Sequence, residues 1–237
     1  MKTKFLILIA VCLIATLPLT GQETAEPEMA KHEMAAEMPG TITEAERAEL
    51  VEVLEESRSE LEALAAHATG DDWNWKPAED RWSVGEVVEH LVLTEEGFQG
   101  MVAGSLEGGM DPEWQATLGG PGVSGIVAMM KDRSQKFQAP AEFVPTGEPS
   151  REELLGRFAA LRAKSLDFVR STHAPIKQHT AEGPAGKMNV HQWMAFCGAH
   201  NLRHNLQIKE VFQAMHHGDG DSDSESDSQD SESDSKG

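Results

Sequence analysis

His200 and His204, four residues apart in the stretch Asn189-Val-His-Gln-Trp-Met-Ala-Phe-Cys-Gly-Ala-His-Asn-Leu-Arg-His-Asn-Leu-Gln, are the residues whose type and spacing point most directly to chemistry. Four residues make about one helical turn, so the two imidazoles project from one face, roughly 40° apart. At ~100° per residue, Trp193, Cys197, Gln207 and Val211 fall within about 60° of His200, and that side is mostly apolar or small. The pair therefore points inward. Two histidines at this spacing can grip one metal ion, the remaining ligands coming from another element. They can equally be hydrogen-bonded core or surface histidines. In the zinc-protease helix a glutamate directly after the first histidine acts as general base; here that position is Asn201, which argues against protease chemistry.

The elements that must position this pair follow from start and stop signals. Asn189 with Gln192 predicts a helix start of the capping-box type for the last helix. Upstream, Thr43 and Glu46 open a helix over residues 43–69 with Leu50, Leu54, Leu61, Leu64 and Ala68 as its stripe, closed by Gly70. Ser83 and Glu86 make a second capping box, flanked by Trp82 and Val87 in hydrophobic-staple positions. That helix is expected to reach about residue 103, with Val84, Val87, Leu91, Thr94, Phe98 and Met101 buried and His90 at the edge of the seam. Residues 104–125 are glycine-rich and read as a long surface excursion, followed by a short helix at 126–137. Ser150 and Glu153 begin a third long helix over 151–172, and a Pro- and Gly-containing loop leads to the His200 helix. Four long helices, without an alternating strand pattern or internal repeat, predict a single all-α four-helix bundle over residues 41–217 with an extra short helix in a long loop.

The 237-residue chain carries a formal net charge of −20. That balance argues against nucleic acid and anionic membrane surfaces as partners, both of which need clustered Lys and Arg. Lys2 and Lys4, the apolar run 5–17 and the small residues before a cut after Gly21 predict a signal peptide over residues 1–21. The protein is then exported, to a periplasmic or extracellular space, with no membrane contact once the leader is removed. Cys12 belongs to the leader, so Cys197 is the lone mature cysteine and no intramolecular disulfide can form. Residues 22–40 read as a disordered linker; Met29, His32, Met34 and Met38 could hold copper(I) there, although a plain linker is the simpler reading. Residues 218–237 alternate Ser with Asp or Glu and read as a disordered acidic tail serving solubility or spacing.

Trp75-x-Pro77, then Trp82-Ser-Val-Gly-Glu-Val-Val-Glu-His90-Leu91, and later His200-Asn-Leu-Arg-His204-Asn-Leu-Gln207-Ile208 resemble the DinB-like superfamily of metal-binding four-helix bundles. The resemblance implies a three-histidine site of His90, His200 and His204 holding a divalent metal. Three neutral imidazoles suit zinc, nickel, iron or copper and leave positions open to water or substrate; zinc or nickel is the expected ion. Family members include thiol-dependent transferases and isomerases, and many have no assigned reaction. A small-molecule substrate or a thiol is the implied partner, and a homodimer is compatible. Against the thiol analogy, low-molecular-weight thiols are chiefly cytoplasmic. Glu95 or Glu96, Gln207 and Cys197 are candidate supporting or acid/base groups, Cys197 reading more simply as a small buried hydrophobe. No catalytic residue is assigned. His191 lies on the far side of the helix, and His67, His173, His179, His216 and His217 read as surface or loop residues. The expectation is an exported metal-dependent enzyme of transferase or hydrolase type; the alternative is a non-catalytic metal- or small-ligand-binding protein.

Overall fold

The computed structural model describes residues 38–183 and 185–218. The expected leader, almost all of the linker and the acidic tail lie outside the described residues. Four long helices begin where their capping residues place them. Helix α1 (Glu44–His67) starts at Thr43, whose Oγ1 accepts from Glu46 N at 3.2 Å while Thr43 N donates to Glu46 Oε2 at 2.8 Å. Helix α2 (Val84–Glu107) repeats the device with Ser83 and Glu86, at 3.1 and 2.8 Å. Helix α4 (Arg151–Ser171) is capped by the Ser150 side chain. Asn189 and Gln192 close the same reciprocal pair at the start of α5 (Val190–Gly218). Each cap satisfies backbone N–H groups that have no partner inside the helix.

The remaining elements differ from the sequence expectation. Helix α2 continues to Glu107, beyond residue 103, because nothing between Met101 and Glu107 stops it until Gly108 and the left-handed Gly109 (φ 87°). The short helix α3 spans Val123–Lys131, earlier than expected, and buries Val123, Ile126 and Met130. Arg203 holds its end, donating to the carbonyls of Met130 (3.1 Å), Asp132 (2.6 Å) and Gln135 (2.6 Å). The segment before α5, expected from the sequence to be a loop, contains a small antiparallel hairpin, β1 (Thr180–Gly183) and β2 (Gly186–Asn189). Four-residue strands are too short to show an alternating pattern; Trp193 anchors this one by donating its indole N–H to the Ala181 carbonyl at 3.1 Å.

Of the successive long helices, only α2 and α4 are close neighbours. Helix α1 packs on α5 and α4, and α2 packs on α4 and α5, so the order around the bundle is α1, α5, α2, α4, with α3 against the outside of α5. The α1–α2 and α4–α5 connections must therefore cross the bundle, whereas the longest, between the neighbours α2 and α4, contains α3. Apolar side chains fill two layers. One holds Leu50, Leu54, Trp193, Ala195 and Leu202, the other Leu61, Val84, Leu91, Phe158 and Ile208. Burial of such side chains is the main force closing the bundle. No helix among the described residues is long and apolar enough to cross a membrane.

Candidate metal centre

Helix α2 brings His90, and α5 brings His200 and His204, to one point where the two helices pack. One ring nitrogen of each lies within 4.8 Å of the others, and no other group of three His, Cys, Asp or Glu among the described residues comes together in this way. The ring centroids stand 5.3 Å (His90–His200), 4.6 Å (His90–His204) and 4.5 Å (His200–His204) apart.

Partners of the outer nitrogens fix the direction of the inner ones. His90 Nδ1 lies 2.7 Å from the Phe143 carbonyl oxygen. That oxygen can only accept, so Nδ1 carries the hydrogen and Nε2 keeps its lone pair. His204 Nδ1 is 2.9 Å from Gln207 Oε1, which assigns the same tautomer to His204. Its Nε2 is 3.2 Å from His200 Nε2. That contact is satisfied by a hydrogen on His200 or by a cation shared between two lone pairs. Nitrogens around one tetrahedral ion at ~2.0–2.1 Å stand roughly 3.3 Å apart. The His200–His204 spacing already matches, so these residues fit a divalent ion.

Electrostatics favour the donor form. Burial, opposed by the Phe143 carbonyl, lowers the pKa of His90. Burial, then the neighbouring His90, Arg203 and Arg162, brings His200 down to about 3. Burial with His200 and His90 holds His204 well below its ordinary value, against the pull of Gln207. Neutral imidazoles at ordinary pH are what a metal requires. His90 and His204 are buried, whereas His200 keeps part of its surface.

Aromatic rings surround the cluster. Trp82 lies 4.9 Å from His90 and 6.5 Å from His204, between centroids. Phe98 meets His200 edge-on at 5.8 Å, and Phe196 stacks on it at 6.2 Å. Trp82, read from sequence as a staple, is therefore also a wall of the site. Its place just before the capping serine, two turns ahead of His90, was the available signal. Phe143 gave none, because its contribution is a backbone carbonyl from a distant loop.

Of the expected supporting residues, Gln207 takes the place foreseen for it. Glu95 does not. Arg162 holds it, Nε to Oε1 at 3.0 Å and Nη2 to Oε2 at 2.7 Å, and Ser165 and Cys197 donate to the same carboxylate at 2.9 and 3.3 Å. Glu96 is exposed and paired with Arg157. Cys197 is a buried thiol outside the cluster, and burial, reinforced by Glu95, raises its pKa well above the ordinary value. His191 is buried away from the site, with Nε2 lacking a partner among the described residues. His67, His173 and His216 are exposed, and His179 is half-buried with Nδ1 at 3.1 Å from the Ser105 carbonyl.

A sequence model described as the DinB superfamily matches residues 53–208, which include all three histidines. The chain belongs to the DinB superfamily. It is 26% identical over 168 residues to the uncharacterized protein YuaE of Bacillus subtilis (strain 168), covering 66% of this chain and 90% of that protein. Among solved structures it is similar to YfiT from Bacillus subtilis, described as a probable metal-dependent hydrolase with an unusual four-helix bundle topology. That likeness has a TM-score of 0.48 at 14% identity, over 76% of this chain and 93% of that one.

Proposed function

We propose that this DinB-superfamily protein is a divalent-metal-dependent enzyme of hydrolase or transferase type, its ion held by His90, His200 and His204. The observation that carries the reading is the set of three ring nitrogens within 4.8 Å of one another, two with their outer Nδ1–H already donated away. Bound there, a divalent ion would supply Lewis acidity and attraction for an anionic or thiol ligand, because no carboxylate in the donor set offsets its charge. The chain's own groups orient and shield. Phe143 and Gln207 fix two rings, while Trp82, Phe98 and Phe196 exclude water from their flanks. His200, the least buried of the three, marks the side from which a small molecule can approach. Zinc or nickel best suits three imidazoles. The basic and apolar start of the sequence supports export, which would place this chemistry outside the cytoplasm.

One observation favours a second reading, a non-catalytic metal- or small-ligand-binding protein. Both oxygens of buried Glu95 are engaged by protein donors, and so are both of buried Glu89, which leaves neither ready to take a proton. The test is metal analysis of the purified protein, followed by cobalt substitution and titration with a small thiol between pH 6 and 9. A sulfur-to-metal charge-transfer band, absent in His204→Ala, is the expected result. A spectrum indifferent to thiols and other small anions would displace the enzyme reading in favour of the binding one.

A further inference from the structure

Residue 89, next to the first histidine, is a glutamate only 4% exposed; Arg157 acts on it from beyond ion-pair distance. A buried carboxylate is costly unless hydrogen bonds satisfy it. Here the partners come from one short segment far along the chain. Glu89 Oε1 accepts from Thr146 N at 3.0 Å and Thr146 Oγ1 at 2.8 Å, and Oε2 accepts from Gly147 N at 2.7 Å. Gly147 has φ 75°, a left-handed conformation that a side chain would strain, and this turns the chain so that consecutive N–H groups meet the carboxylate.

The same segment, three residues earlier, supplies the Phe143 carbonyl that takes the hydrogen of His90 Nδ1. Its other anchor is the Phe143 ring, which lies so close to Gly97 that an added Cβ would stand 2.9 Å from two ring carbons. Residues 143–147 thus form a strap along α2, fastened at Gly97 and Glu89 and touching His90 between them. The strap itself is mostly exposed and packs on little else, so its position depends on those fastenings.

From this geometry we infer that Glu89 is a positioning residue of the metal centre, acting on His90 through the strap and not by contact with the ion. The carboxylate binds two backbone N–H groups and a hydroxyl. These hold the Phe143 carbonyl against His90 Nδ1 and so present Nε2 as a lone pair toward His200 and His204. Charge-assisted bonds of this kind are roughly twice as strong as neutral ones. In Glu89→Gln the new amide turns N–H toward donors, and the strap loses at least one of its bonds.

The inference rests on the three-histidine metal reading, and the experiment separates the two. Nitrogen-correlated NMR of the metal-free full chain reads the His90 tautomer, and zinc titration reads affinity. In the wild-type protein His90 is expected to be wholly in the Nδ1–H form. In Glu89→Gln the tautomers should mix, and zinc affinity should fall about 10- to 100-fold, the range typical for partners that orient a ligand. Glu96→Gln, an exposed carboxylate about two turns further along α2, should change neither. A wild-type tautomer and wild-type zinc affinity in Glu89→Gln would overturn the inference. Should that variant fail to fold, Thr146→Val combined with Gly147→Ala loosens the strap from its exposed side, and an unchanged tautomer there overturns it equally. A wild-type chain that takes up no zinc would sink the metal reading, while the tautomer comparison would still decide the role of Glu89.

Discussion

Two buried polar regions lie close together on α2 and α5, and they are built in opposite ways. Around Arg162 every strong donor is matched. The guanidinium, fully buried, reaches both Glu95 oxygens, the Leu54 carbonyl at 2.7 Å, Ser57 Oγ at 2.6 Å and Asn201 Oδ1 at 3.3 Å. Asn201 then passes to Asn205, which reaches the Ser57 carbonyl and Glu60. Around His200, one step along the same helix, the rings are oriented on their outer side and left with converging nitrogens on the inner side. The saturated network can do little but hold four helices in register. The unsaturated one is held open by the fold in a form that a cation would complete.

The largest effect that would sharpen this contrast is in the saturated region. Arg162→Ala leaves Glu95 buried without its charge partner and is expected to cost about 3–5 kcal/mol in denaturant unfolding. A loss below about 1 kcal/mol would mean that the network is not what fixes the bundle. Acid should weaken the other region. The three histidines have folded-state pKa values below their unfolded ones, His200 at about 3, so the unfolded chain binds more protons beneath pH ~6.5. Stability of the metal-free protein is therefore full above pH ~6.5 and falls as pH drops, by about 1.4 kcal/mol per pH unit for each proton that only the unfolded chain carries. A flat melting temperature from pH 7 to 5 would contradict the burial of these rings.

Smaller, and confined to the site, is the loss from single alanine substitutions. His90→Ala, His200→Ala and His204→Ala should each reduce metal affinity at least about tenfold, near 1.4 kcal/mol, in calorimetric titration. Their metal-free stability should change far less than that of Arg162→Ala. Equal damage to folding by both sets would erase the distinction between the regions. Smallest of all is Glu96→Gln. It breaks an exposed pair with Arg157 beside the critical Glu95, and exposed pairs contribute about 0–1 kcal/mol.

The helices and the histidines were legible because their signals are local. Thr43–Glu46, Ser83–Glu86 and Asn189–Gln192 each state a helix start within four residues, and the structure places all three starts there. His200 and His204 declare a shared face by spacing alone. What stayed hidden depends on contacts between distant segments. Sequence reasoning puts Arg and Glu at the surface by default, so nothing near Arg162 or Glu95 announced that they would meet in the core. The strap was equally silent, since Thr146 and Gly147 look like any turn until α2 is beside them. The hairpin at Thr180–Asn189 was missed because its strands are too short to set a period.

The order of helices around the bundle has a consequence for rates. Because α1 and α2 both pack on α5, many contacts between helices join far-separated residues, and topologies rich in such contacts fold more slowly than those built from local pairs. The three ligands come from two helices that α3, α4 and the hairpin separate in sequence, and they meet only when α5 seats against α2. Stabilisation by a site that forms after the folding barrier acts on the unfolding limb. Zinc is thus expected to lengthen the lifetime of the folded protein while leaving its refolding rate nearly unchanged, which stopped-flow chevrons with and without the ion would show.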